Sequence, residues 1–244
     1  GRVGAWHTAA PTLYQKIIHS KNLLLDGIYT HFSSSDSDIE YTKKQRTIFL
    51  DLLRDLNISS KSGLLIHADN SSGIESFNQN SPINAVRVGL LQYGVTPYKN
   101  SILSTVKTQN VFSFHTRIGL VKNLPAKTPI SYGRTYILKR DSVVAILTAG
   151  YADGIPRSCS NQGAVLINGQ RCPILGNITM DQTIVDVTGM EQVKIGDQAI
   201  LFGKQREAEI TIGEFSQWAE TIPWEILTSI SKRVQRIYKT NLGI

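Results

Sequence analysis

The chain is short of several things. With only two cysteines in 244 residues, Cys159 and Cys172, it cannot build a disulfide framework, and neither has a histidine or cysteine neighbour at metal-ligand spacing. Both read as structural thiols, and no metal is expected. No apolar run exceeds strand length, so no membrane span is expected, and the opening residues Gly1-Arg2-Val3-Gly4-Ala5 lack the basic-then-apolar layout of a secretion signal. The cytoplasm is the expected compartment. Internal repeats and low-complexity tracts are missing too. The formal charge is +7 and the pI about 9.4, yet the basic residues fall in scattered pairs such as Lys43-Lys44, Lys139-Arg140 and Lys232-Arg233. A nucleic-acid-binding β domain therefore rests on charge alone. A solvated surface, or a site for a phosphorylated ligand and a carboxylate, fits the scatter better.

What is present is an ordinary globular composition, 41% hydrophobic and 18% charged, in a chain long enough for one large core or two modest ones. In residues 1–109 helices alternate with short strands. Pro11 to Asn22 carries Leu13, Tyr14, Ile17 and Ile18 at helical spacing behind a proline that suits a first turn. Leu24 to Phe32 reads as a strand. Ile39 to Leu56 reads as a helix with Tyr41, Ile48, Leu52 and Leu56 on its apolar stripe and Asp36 or Asp38 as its cap. Leu64 to His67 and Ala85 to Gly89 are two further strands. This alternation implies a parallel sheet with crossover helices, whose chemistry gathers at the strand C-terminal ends. His31, Asn70, Ser71 and Arg87 all fall there. A whole (β/α)8 TIM barrel takes roughly 250 residues, so this part holds only a partial barrel without its first strands.

From residue 110 the pattern changes to short strands separated by turns such as Asp153-Gly154, Asn168-Gly169 and Gly196-Asp197, which implies a small, mainly antiparallel β domain over residues 110–244. Helical segments at Ile212 to Glu220 and Trp224 to Tyr238 follow. The fold class is α/β plus all-β. Within the β domain, Val143 to Ala149 reads as a buried strand, and Ser131 to Arg140 as another, with Tyr132 near its start beside the small Gly133. On that stretch alone Tyr132 is a sheet residue with its hydroxyl satisfied.

Read together, Ser131-Tyr132-Gly133, Gly150-Tyr151-Ala152-Asp153-Gly154 and Met180-Asp181-Gln182 resemble, in order and spacing, the C-terminal part of the alanine racemases that use pyridoxal 5'-phosphate. The likeness covers nearly the whole chain. It implies that Arg87, in Val86-Arg87-Val88-Gly89-Leu90, faces the pyridine nitrogen of the cofactor; an arginine does not give up its proton, so the ring stays a weak electron sink suited to simple proton exchange. It implies that Ser71, by its hydroxyl, and Gly89 and Leu90, by backbone N–H groups, hold the phosphate. Where the family adds a tyrosine to that phosphate from a Tyr-Glu-Ile stretch, this chain reads Trp224-Glu225-Ile226.

The resemblance further implies that Tyr132 is the base that exchanges the α-proton on the L-alanine face. A free phenol titrates near ~10, and positive charge from Arg2 and Arg87 favours its phenolate. His31 is implied as the tyrosine's support, Arg2 and Met180 as substrate contacts, and Tyr151 and Arg157 as the entrance corridor. Because the family's tyrosine enters the opposite subunit's site, a homodimer with shared active sites is implied. One family element is not found: no lysine in these 244 residues lies in a Lys-Ala-Asn-Ala-Tyr-Gly-like segment, the amine that anchors the cofactor and acts as the opposite-face base. The expectation is thus a racemase chain incomplete by itself, serving L- and D-alanine interconversion for peptidoglycan synthesis. The alternative is a non-catalytic remnant that binds a partner.

Overall fold

Pro11 opens the first helix, α1 (Ala10–Ile18), where its missing N–H costs no hydrogen bond. The helix stops four residues before the pattern does, because the polar His-Ser-Lys-Asn run folds back and the His19 ring bonds the Gln15 carbonyl at 2.8 Å. Strand β1 (Gly27–Tyr29) leads into α2 (Ile39–Asp55), capped by Asp38, whose carboxylate accepts the Tyr41 N–H at 2.9 Å. The buried line of α2 is Thr42, Phe49 and Leu53, while Tyr41 is exposed. This is one residue round from the predicted stripe: the Thr42 hydroxyl donates to the Asp38 carbonyl at 2.8 Å, and Phe49 enters the core.

The computed structural model describes residues 3–76, 81–95 and 108–239, in two units, Gly1–Gln109 and Asn110–Ile244. In the first, β1, β2 (Leu65–Asn70) and β3 (Ala85–Arg87) form a parallel sheet in that order, with α2 as the crossover between β1 and β2. Its core is Phe32, Phe49, Leu53, Ile58, Ile66, Ala68 and Ile83. Burial of these side chains is the main favourable term, at about 25 cal/mol per Å² of apolar surface.

The second unit is built on β4 (Phe114–Leu124), β7 (Ser142–Leu147), β8 (Ala164–Ile167), β9 (Gln170–Pro173), β10 (Thr183–Asp186) and β11 (Gln198–Gln205), paired in the order β10-β7-β4-β11-β8-β9, with β12 (Ala208–Ile210) added to β11. All these pairings are antiparallel. Ala199 to Phe202 on β11 are wholly buried in succession, which explains their unbroken apolar run. A small hairpin of β5 (Pro129–Ile130) and β6 (Tyr136–Ile137) stands apart from this sheet, and α3 (Ile212–Trp218) and α4 (Pro223–Ser229) follow β12.

Two expectations are corrected here. Ser131 to Arg140 is not one strand: Ser131 (φ 58°), Gly133 (φ 71°) and Arg134 (φ 50°) turn the backbone over, so Tyr132 sits on the hairpin turn between β5 and β6. The final helix ends at Ser229 rather than running to Tyr238, because the Arg236 guanidinium folds back to bond the carbonyls of Ile230, Ser231 and Val234. Among the described residues no helix is long and apolar enough to cross a membrane.

Candidate active site

In the first unit the polar residues converge on Arg87. Strand β3 pairs with β2 so that Arg87 lies opposite Asn70, and the guanidinium reaches across the ends of all three strands. Nη2 donates to the Thr30 carbonyl (3.0 Å), the Ala68 carbonyl (3.0 Å) and His31 Nδ1 (2.9 Å), and Nη1 donates to His67 Nδ1 (2.5 Å). An arginine can only donate, so the His67 imidazole must offer a lone pair at Nδ1 and carry its proton on Nε2. His67 stacks on the Tyr29 ring, with centroids 4.9 Å apart and planes at 8°, and Arg87 lies over the same ring at 5.5 Å.

The electrostatics agree with a neutral His67. Burial, then the Arg87 charge, hold the His67 pKa below the ordinary imidazole value. Burial also lowers the Arg87 pKa, against the opposing pull of Tyr29 and Asp69. The guanidinium still keeps its proton at any working pH. Arg87 has no carboxylate partner in an ion pair among the described residues, so its charge is held by neutral acceptors and is not cancelled.

Beside it, Ser71 follows β2 and is buried, and its Oγ accepts the Gly89 N–H at 2.8 Å. Gly89 precedes a short 3-10 turn, Leu90–Tyr93. Asn70 fixes this corner: its Oδ1 accepts from Ser35 Oγ (2.8 Å) and from the Gly73 N–H (2.9 Å). The donors left at this corner are the Ser71 hydroxyl and the Leu90 N–H, since the Gly89 N–H is taken up by Ser71 Oγ. Among the described residues nothing receives the Ser71 hydroxyl proton, and no carboxylate belongs to the set. Such a set fits a phosphate dianion.

The second unit carries its own cluster. The Asn177 side chain donates to the Tyr132 carbonyl at 2.8 Å, and the Asn177 carbonyl accepts from Ser131 Oγ at 2.5 Å. These bonds hold the turn whose left-handed Ser131 and Arg134 are unfavourable for residues with side chains. Tyr132 itself is 76% exposed. Three residues beyond Asn177, the Met180 carbonyl accepts the Ala152 N–H and the Thr179 carbonyl accepts the Tyr151 N–H, both at 3.0 Å, so the loops of Met180 and Tyr151 are stitched together. Arg233 braces both, donating to Asp181 at 2.7 Å and lying 3.4 Å from Asp153. Asp153 in turn accepts the Gly150 N–H at 2.9 Å.

Of the residues singled out in the sequence, His31, Ser71, Arg87, Gly89 and Leu90 thus share the strand ends of one unit, and Tyr132 and Met180 belong to the other. Arg2 lies outside the described residues. His67, Asn177 and Arg233 were missed as site residues. His67 lies within β2, paired with Tyr29, and shows its role only through Arg87, while Asn177 and Arg233 act through contacts distant in sequence. Both cysteines are buried free thiols, with pKa values pushed up to about 12 by burial. Among the described residues no cluster of histidine, cysteine and acidic side chains has the form of a metal site.

Comparison with known proteins finds two family matches: the alanine racemase N-terminal domain over residues 1–97 and the alanine racemase C-terminal domain over residues 111–238. An alanine racemase of Halothermothrix orenii is 37% identical over 244 residues, all of this chain and 64% of that protein. One of Chlorobaculum tepidum is 40% identical over 97% of this chain and 61% of its own length. The crystal structure of alanine racemase from Bacillus anthracis with bound L-Ala-P superposes with a TM-score of 0.85 at 32% identity, covering 99% of this chain and 62% of that one. Alanine racemase from Bartonella henselae, with covalently bound pyridoxal phosphate, superposes at 0.78 and 30% identity over 94% of this chain and 59% of that one. The chain therefore spans about three fifths of the length of these relatives.

Proposed function

Because this chain belongs to the alanine racemase family, we propose that it forms part of a racemase that interconverts L- and D-alanine with pyridoxal 5'-phosphate, as a cytoplasmic homodimer with shared active sites. The observation that carries the reading is the Arg87 cluster: a guanidinium without a carboxylate ion-pair partner, held by the Thr30 and Ala68 carbonyls and by His31 and His67, one strand pairing away from the buried Ser71 hydroxyl suited to phosphate. The barrel in this reading is partial in these 244 residues, residues 1–109 supplying its cofactor-holding strand ends and residues 110–244 the β domain.

Ser71 and Leu90 would hold the phosphate, joined by Gly89 as its N–H turns from Ser71 Oγ to the anion, and Arg87 would hold the ring. When bound, the cofactor supplies an electron sink that acidifies the α-C–H of an amino acid. Arg87 binds and orients without surrendering a proton, and His31 and the neutral His67 fix the plane of its guanidinium. Tyr132 Oη would exchange the α-proton on one face, and its exposure in the single chain supports a phenol offered to the second subunit. Met180 and Arg2 would bound the substrate, with Tyr151 and Arg157 at the entrance. The opposite-face base would be the family's lysine, for which these 244 residues contain no matching segment.

The test is racemisation of L-alanine with added cofactor. The intact protein is expected to racemise it and these 244 residues alone are not. Failure of the intact protein on alanine under saturating cofactor would refute the assignment, and robust turnover by the 244 residues alone would refute the need for a further base.

A further inference from the structure

Arg46 is an arginine where α2 faces the core, and it pairs with Asp69, whose carboxylate is wholly buried. The pair is poorly served as a stabilising device. Arg46 Nε and Asp69 Oδ2 find no partner among the described residues, and burying two charges costs roughly what their attraction returns, so that apolar replacements of similar volume often do as well. Its geometry is informative instead. A single nitrogen, Arg46 Nη2, touches Asp69 Oδ1 and also reaches the Gly73 carbonyl at 3.5 Å, the two ends of a five-residue segment with Ser71 at its centre. The guanidinium is seated over the Phe32 ring at 4.9 Å, which fixes the clamp from below. The segment is wound tightly round the carboxylate: a Cβ on Gly73 would lie 3.1 Å from Asp69 Oδ1 and 3.3 Å from Asn70 Oδ1.

We infer that Arg46 and Asp69 are positioning residues for the phosphate cradle: the pair clamps residues 69–73 at both ends so that the Ser71 hydroxyl stands against the Gly89 N–H. The inference rests on the reading of Ser71 as a phosphate ligand. A loose clamp leaves the ring-binding groups of Arg87 in place but lets Ser71 drift, so its signature is a loss confined to the phosphate. Overall stability does not carry that signature.

The experiment compares binding of pyridoxamine 5'-phosphate and of pyridoxamine, which lacks the phosphate, to the intact protein by calorimetric titration. Neither probe needs a lysine. Arg46→Met is expected to lower the preference for the phosphorylated probe about tenfold, the equivalent of one charge-assisted hydrogen bond, with pyridoxamine binding little changed. The double variant Arg46→Met with Asp69→Leu leaves no buried charge unpaired, so it is expected to fold even where the single variant does not, and to show the same loss. A wild-type preference that survives in the double variant overturns the positioning role alone. A wild-type protein with no preference for the phosphorylated probe overturns the phosphate-site reading, and with it this inference. Equal weakening of both probes also overturns it, since that is what general loosening would give.

Discussion

Replacing Gly150 by alanine isolates one packing contact that the β unit depends on. The residue is extended, at φ −147° and ψ −158°, so alanine meets no backbone penalty there and the whole cost is collision. A Cβ would lie 2.2 Å from the Thr179 carbonyl oxygen and 2.5 Å from that of Met180. These are backbone atoms, which cannot rotate aside, and relief requires the two loops to part by about 1 Å, judged against ordinary contact near 3.5 Å. Parting breaks the Tyr151 and Ala152 N–H bonds to those same carbonyls. Two such bonds at about 1 kcal/mol each and overpacking at about 1–3 kcal/mol give a loss of roughly 3–5 kcal/mol. For a chain of this size the thermal midpoint of the β unit falls by roughly 6–20 °C. The matched control is Gly189→Ala, whose site has nothing within 4 Å but a φ of +82°, so it costs only about 1–2 kcal/mol of left-handed strain. Calorimetry of the two variants, with hydrogen exchange at the Tyr151 and Ala152 amides, reads both the energy and its place. Equal midpoints for the two variants, or unchanged protection of those amides, would refute the claim that close approach at Gly150 joins the Tyr151 and Met180 loops.

Three further outcomes are expected. His67 is held neutral below the ordinary imidazole pKa by burial and Arg87, so as pH falls from about 6.5 toward its lowered value the unfolded chain takes up a proton that the folded chain refuses, and stability drops through that window; denaturant unfolding should show this slope in the wild type and a smaller one in His67→Phe. Asn177→Ala removes the bond to the Tyr132 carbonyl and should lower kcat of the intact protein by roughly tenfold to a hundredfold, leaving pyridoxamine 5'-phosphate binding unchanged, as steady-state kinetics and titration would record. Cys159 and Cys172, with thiol pKa values of about 12, should resist a disulfide reagent in the native protein and both react once it is unfolded.

How far the sequence spoke depended on the range of the contacts. Asp38 as a cap, the buried β7 and the change from parallel to antiparallel pairing are local patterns, and they are what the periodicity of apolar residues records. The turn at Tyr132 was hidden because alternation from Ser131 to Arg140 imitates a strand, while the reversal is enforced from Asn177, 45 residues away. The same holds for the last helix, whose apolar residues continue past Ser229 although Arg236 has already ended it. Arg87, Ser71 and Gly89, singled out through their motifs, do meet in the first unit. Arg46 was not singled out, since a lone arginine in a helix reads as surface until its partner on β2 is known. His67 was overlooked for a related reason: its role exists only relative to Arg87.

If these residues serve proton exchange at the α-carbon of alanine, deuterium from the solvent must enter that position. With the intact protein, pyridoxal 5'-phosphate and L-alanine in heavy water, proton NMR should show the α-hydrogen replaced by deuterium, and Tyr132→Phe should slow that uptake by about 10² to 10⁴. Saturating cofactor with no uptake in the wild type, or uptake at the same rate in Tyr132→Phe, would contradict the account.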